Sequence, residues 1–202
     1  MKLSNYLLSG SLLILLTSCA YTTSTVKVDY TPQNYSMHVD SSSSIFVQKL
    51  SDQRGVEPNL LSYKGVQYKT TGKYITDREI ADIVTDAIKG VLTKMGYPLV
   101  ANGGNVTLKG EILKLDSQVL MGFWSGDMES NIQLNLKLSD NKSGAVIWSE
   151  IVSGNGRTTG LQIDSEIYRK EVIEKALDNL MSKIANSMTL REAIAKAQQK
   201  NL

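Results

Sequence analysis

The chain holds one cysteine, Cys19, and one histidine, His38. That scarcity excludes much chemistry. A Ser-His-Asp relay needs an imidazole held firmly between its neighbours, and His38 lies in a Ser- and Thr-rich stretch expected to be a linker. A zinc site draws on several His or Cys ligands, and one of each does not meet that need. Carboxylates gather at Asp77, Glu79 and Asp82, and again at Asp164 and Glu166. Both groups fall at expected helix starts, where the helix dipole favours negative charge. Gly103-Gly104 and Gly154-Asn155-Gly156-Arg157 lack the spacing of a phosphate-binding loop and read as turns. No catalytic residue, metal site or nucleotide site is expected, and the protein is read as non-enzymatic.

Two other sets of residues could recognise a partner. Asp52 and Arg54 follow directly on an apolar strand, so they could bind a polar ligand. They could equally tie a long loop with charge-assisted hydrogen bonds. Leu120-Met121-Gly122-Phe123-Trp124-Ser125-Gly126 stands between two expected strands, where polar turn residues are the rule. Met121, Phe123 and Trp124 form a candidate contact site at that tip, or cover the sheet edge from it.

Cys19 carries a different chemistry. Met1-Lys2 gives a basic start, and an apolar stretch runs from Tyr6 to Leu16. This is the make-up of an export signal. The stretch is too short to span a bilayer, which takes about 20 residues. Its end, Leu16-Thr17-Ser18-Cys19, resembles the lipobox of bacterial lipoproteins. The resemblance implies cleavage before Cys19 and a covalent lipid on its thiol, the sole attached group expected. Acylation would also remove a free thiol from an exported chain. Ala20 follows where inner-membrane retention in enteric lipoproteins uses aspartate, so the outer membrane is the expected address, with the domain in the periplasm.

The remaining sequence must fold around this anchor. A net charge of +2 gives no basic excess for nucleic acid. With one cysteine there is no intrachain disulfide, and stability rests on the core. Three regions are expected: a signal over 1–18, a lipidated flexible tether over 19–44, and a single α+β domain over 45–202. Val26 and Val28 could form a short strand within the tether. Ile45 to Leu50 reads as a central strand, and Val56 to Tyr74 as a long loop with a short strand at Gly65–Lys69. Thr76 and Glu79 match a capping box opening a helix to Met95. Its stripe is Ile80, Ile83, Val84, Ala87, Ile88, Val91, Leu92 and Met95. Gly96 ends it.

Alternating patterns near Val106–Leu113, Ile132–Leu138 and Val146–Trp148 predict three strands. A second helix spans about Asp164 to Ser187, with Ile167, Val172, Ile173, Ala176, Leu177, Leu180, Met181, Ile184 and Met188 on its apolar face. Thr189 to Glu192 matches another capping box, opening a short helix to about Lys200. The expected fold is a two-layer α+β sandwich. Its sheet has about four to five mainly antiparallel strands, with two long helices on one face and a short C-terminal helix.

Five features together resemble the YajG-type lipoprotein family: the lipobox, Asp52-Gln53-Arg54, the helix ending Lys94-Met95-Gly96-Tyr97, the meander from Val106 to Ser153, and the final helix with its Thr189–Glu192 tail. The resemblance implies a lipid-anchored envelope protein and supplies no catalytic residues. The expected partners are the membrane, through the lipid, and another envelope protein. The alternative is a binding module for a cell-wall or lipid fragment.

Overall fold

Residues 21–33, 43–66, 69–121, 126–161 and 164–199 are described in the computed structural model of the chain. In chain order the elements are β1 (Thr22–Val26), β2 (Ile45–Val47), β3 (Ser51–Asp52), β4 (Leu60–Val66) and β5 (Lys69–Thr76). Then come α1 (Ile80–Lys94), β6 (Leu99–Val100), β7 (Val106–Met121), β8 (Gly126–Asp140), β9 (Val146–Leu161), α2 (Glu166–Asn186) and α3 (Met188–Gln199).

Strict alternation makes β8 the spine of the main sheet. Met128, Ile132, Leu134, Leu136 and Leu138 all point into the core, and the residues between them face the other way. β8 pairs antiparallel with β7 on one side and β9 on the other. The full order is β6-β2-β7-β8-β9, with β3 also on β7. β2 pairs parallel with β6 and β7, and β3 is parallel to β7. The main sheet is therefore six-stranded and mixed, larger than expected. α1, α2 and α3 supply the other layer of the core.

A second sheet, in the order β1-β5-β4, corrects two expectations. Val56–Tyr74 is not a long loop: β4 and β5 form an antiparallel hairpin, with Gly65 and Val66 of the expected strand ending β4 and Lys69 beginning β5. Residues 21–33 are not a tether. β1 pairs parallel with β5 from Thr22↔Gly72 to Val26↔Thr76. Val26 and Val28 are buried in the core, Pro32 lies against Gly90 of α1, and Lys94 donates to the Pro32 carbonyl. Ser43 and Ser44, assigned to the same tether, bond Ile194 and Asn105. Local composition hid this, because a Thr- and Ser-rich strand gains order from a partner strand distant in sequence.

The stripe of α1 is buried as expected, from Ile80 through Met95. Gly96, at φ 92°, closes the helix: Gly96 N–H donates to Thr93 and Tyr97 N–H to Leu92. The start differs. Thr76 ends β5, its hydroxyl bonding Asn59 and Arg78 carbonyls. Glu79 caps through its backbone without a side-chain bond, and the Ile80 N–H donates to the Pro58 carbonyl. Likewise Ser187, not Thr189, accepts from Leu190 at the start of α3, while Thr189 accepts from the Trp148 indole.

α2 packs across β9 at close range. A Cβ on Gly154 would lie 2.3 Å from the Ala176 carbonyl oxygen, and one on Gly156 would lie 2.1 Å from that of Val172. These glycines are not a turn, as their clustering suggested. They thin a strand so that a helix backbone can touch it. Gly156→Ala should force α2 outward and destabilise by about 1–3 kcal/mol. A denaturant midpoint equal to wild type would refute this contact. Amide exchange tests the first strand: Val26 should be protected about as strongly as its partner β5, whereas a flexible leader would exchange at once.

Candidate functional site

Arg169 occupies a place on the buried stripe of α2, three residues before Val172 and four before Ile173. An apolar residue is expected there. Its side chain is 3% exposed and every branch is used. Nε and Nη2 donate to both oxygens of Asp164, each at 2.9 Å. Nη1 donates to the Ser62 hydroxyl of β4 and the Ser117 carbonyl of β7, each at 2.8 Å. Below it lies the ring of Tyr74, 4.7 Å from ring centre to guanidinium carbon. Burial, with Asp164 adding to it, pushes the Tyr74 phenol up to about 12. Lys64 sits 4.6 Å over the same ring and bonds Ser24 of β1. The nearby Ser24 hydroxyl holds the Glu166 carboxyl below the ordinary range. These groups join β1, β4, β5, β7 and α2. The sequence reading passed over Arg169. The signal was its position: a charge in register with an apolar helical stripe must be paired to be buried.

Asp52 and Arg54 form a second buried pair. Arg54 meets both oxygens of Asp52, at 2.9 and 2.7 Å, and also donates to the carbonyls of Leu60 and Pro58. Pro58 is the residue that receives the first N–H of α1. The pair thus pins the 55–59 turn and, through it, the start of α1. Burial alone would raise the Asp52 carboxyl; the bonds from Arg54 outweigh it and hold the group below its ordinary range. With four of its five N–H groups spent on the protein, Arg54 has little left for a ligand.

Arg54 borders a cleft of about 350 Å³ between β4 and β7, walled by Leu60, Leu61, Leu113 and Leu115. Among the described residues no group of three or more His, Cys, Asp and Glu side chains could hold a metal. Glu79 and Asp82, read as helix-start carboxylates, both pair with Lys49. Gly103 and Gly104 take positive φ and form a turn whose carbonyls bond Asn141. Cys19, His38, Phe123 and Trp124 lie outside the described residues, as does the side chain of Met121.

The outer face of the main sheet is polar. Glu111 bonds Asn135, Gln133 bonds Ser153, and Arg157 pairs with Asp127 and Glu129. Lys109 stands opposite Lys137, and Ile151 is 59% exposed among them. The outer edge of β9 is sealed in its middle. Lys183, Asn179 and Lys175 of α2, four residues apart, bond the Ser153 carbonyl, the Asn155 N–H and the Arg157 carbonyl. A strand cannot add where those groups are occupied.

These elements make a helix-backed mixed sheet with a second small sheet, an α+β domain. The chain belongs to a family of uncharacterised lipoproteins, whose family model matches residues 31–195. Protein XCC0632 from Xanthomonas campestris has a similar fold, with a TM-score of 0.60 at 13% identity over 89% of this chain and 99% of that one. A minor lipoprotein from Acinetobacter baumannii is similar at a TM-score of 0.44 and 12% identity, over 74% and 94%. Lipoprotein GNA1162 from Neisseria meningitidis gives 0.35 and 14%, over 73% and 99%. No curated protein matches the sequence. No helix among the described residues is long and apolar enough to cross a membrane.

The two buried arginines make separable predictions. Arg169→Leu leaves the buried Ser117 carbonyl unmet and Arg54→Leu leaves the part-buried Asp52 without its partner, and each should cost about 1–3 kcal/mol by denaturant unfolding. The lowered Asp52 carboxyl adds stability above its unfolded value, and that stability is lost as pH falls through its folded value. Wild type should therefore weaken on acidification below about pH 4 more steeply than Arg54→Leu. Parallel curves would show that the pair contributes nothing.

Proposed function

We propose that the protein is a YajG-type outer-membrane lipoprotein, anchored by lipid on Cys19, that acts without catalysis as an interaction component of envelope assembly in the periplasm. The observation that carries this reading is the one-sided cover of the main sheet. Three strands of 15 to 16 residues bury one face under helices and leave the other as a broad, hydrogen-bonding polar surface. That face offers paired charges, amides and exposed aliphatic side chains such as Ile151, the mixture that contact surfaces use. Ala20 after the cysteine supports the outer membrane, and the family supports the anchor.

A photoreactive amino acid at Ile151 tests this in cells fed a clickable fatty acid. The wild-type background should take up label and give a discrete adduct with an envelope protein. The Cys19→Ser background should lose the label and most of the adduct, because it is no longer held at the membrane. Equal labelling of the two would sink the anchor, and an unreactive labelled protein would sink the contact face.

A further inference from the structure

The strand directions gather one end of the molecule around the anchor. β1 begins at Thr22, three residues after Cys19, so the two lie within about 10 Å of each other along the chain. β1 runs parallel to β5, with Thr22 opposite Gly72, and Gly72 lies opposite Lys64 near the β4–β5 tip. Arg54 joins Leu60 to Asp52, which pairs with Ile112, and Arg169 ties Ser62 to Ser117, so β4 climbs beside β7 toward Met121. Met121 pairs with Gly126, and Gly126 with Leu161. α2 packs against β1, and its start follows the end of β9 by five residues. The first strand, the hairpin tip, the far ends of β7 and β9 and the start of α2 therefore share the end from which the lipid would extend.

This end collects exposed apolar side chains from four separate elements or their flanks. Tyr21 is 56% exposed, Tyr63 57%, Leu120 40% and Ile167 75%. Ile167 is off the buried stripe of α2, so the fold makes no use of it. We propose that this end is a membrane-docking face: the lipid on Cys19 leaves too little chain for the domain to stand away, and Tyr21, Tyr63, Leu120 and Ile167 rest in the bilayer interface. The inference depends on the Cys19 anchor proposed above. Tyrosine suits that position because its ring enters the apolar zone while its hydroxyl stays wet. Among the described side chains nearby, Lys64 bonds Ser24 and Lys73 pairs with Glu57, and the proposed contact is apolar.

The test uses the full lipidated chain in vesicles of phosphatidylethanolamine and phosphatidylglycerol. Spin labels are placed singly through Leu120→Cys, Ile167→Cys and, as a reference, Val146→Cys. Val146 starts β9 at the opposite end, roughly 45–50 Å away along the strand, and is also exposed. Acylation of each variant is read first with a clickable fatty acid. In acylated protein, labels at 120 and 167 should collide more with oxygen, which partitions into lipid, than with a water-soluble nickel chelate. The label at 146 should show the reverse, and the contrast should survive high salt. Equal nickel access at all three positions of acylated protein would overturn the docking face and leave the anchor standing. Labels immobilised at 120 and 167 without an oxygen preference would mean that protein covers this end, which overturns it as well. Absence of acylation would remove the anchor and the docking face together.

Discussion

A guanidinium buried where two sheets meet a helix sets the terms for the rest of this structure. Arg169 cannot lie in the core unless each of its donors is met. Meeting them requires Asp164 before α2, Ser62 on β4, Ser117 on β7 and the ring of Tyr74 on β5. Those four come from segments far apart in sequence, so one charge draws the small sheet onto the flank of the large one. Asp52 and Arg54 do the same at shorter range, holding the turn that receives the first amide of α1. In both places a polar requirement, rather than apolar area, chooses the arrangement. Apolar burial would tolerate several positions of the hairpin; a bidentate arginine tolerates very few.

The helix layer shapes what remains outside. Gly154 and Gly156 let the α2 backbone lie against β9, and that closeness brings Lys175, Asn179 and Lys183 over the strand edge. The helix therefore covers the core and also blocks the middle of an edge that would otherwise recruit another strand. The contact surface left over is the polar face of the sheet, where partner recognition would run through side chains and not through backbone pairing.

Placing β1 inside the fold changes how the domain relates to a membrane. A leader of some two dozen flexible residues would let the body roam well clear of the lipid. A strand beginning at Thr22 does not. With the lipid proposed on Cys19, one end of the body would be held close to the membrane, and the polar sheet face would stand across the interface and not flat upon it.

Period and composition in the sequence were sufficient for the elements that build their own pattern. The stripe of α1, the alternation of β8 and most of the α2 stripe are local signals, since helices and half-buried strands repeat every 3.6 and 2 residues. The lipobox-like Leu16-Thr17-Ser18-Cys19 and the single histidine are read directly from residue types, and with them the lipoprotein class that the family match supports. Other features have no local signature. Thr22–Val26 becomes a strand because β5 supplies its hydrogen bonds. Gly154 and Gly156 sit in a strand because a helix must touch it. Thr76 is not a cap because Asn59 and Arg78 take its hydroxyl. Arg169 is interior because Ser62, Tyr74 and Ser117, all distant in sequence, receive it along with the nearby Asp164. Each of these depends on a partner that only chain closure brings near, and so the tertiary structure alone decided them.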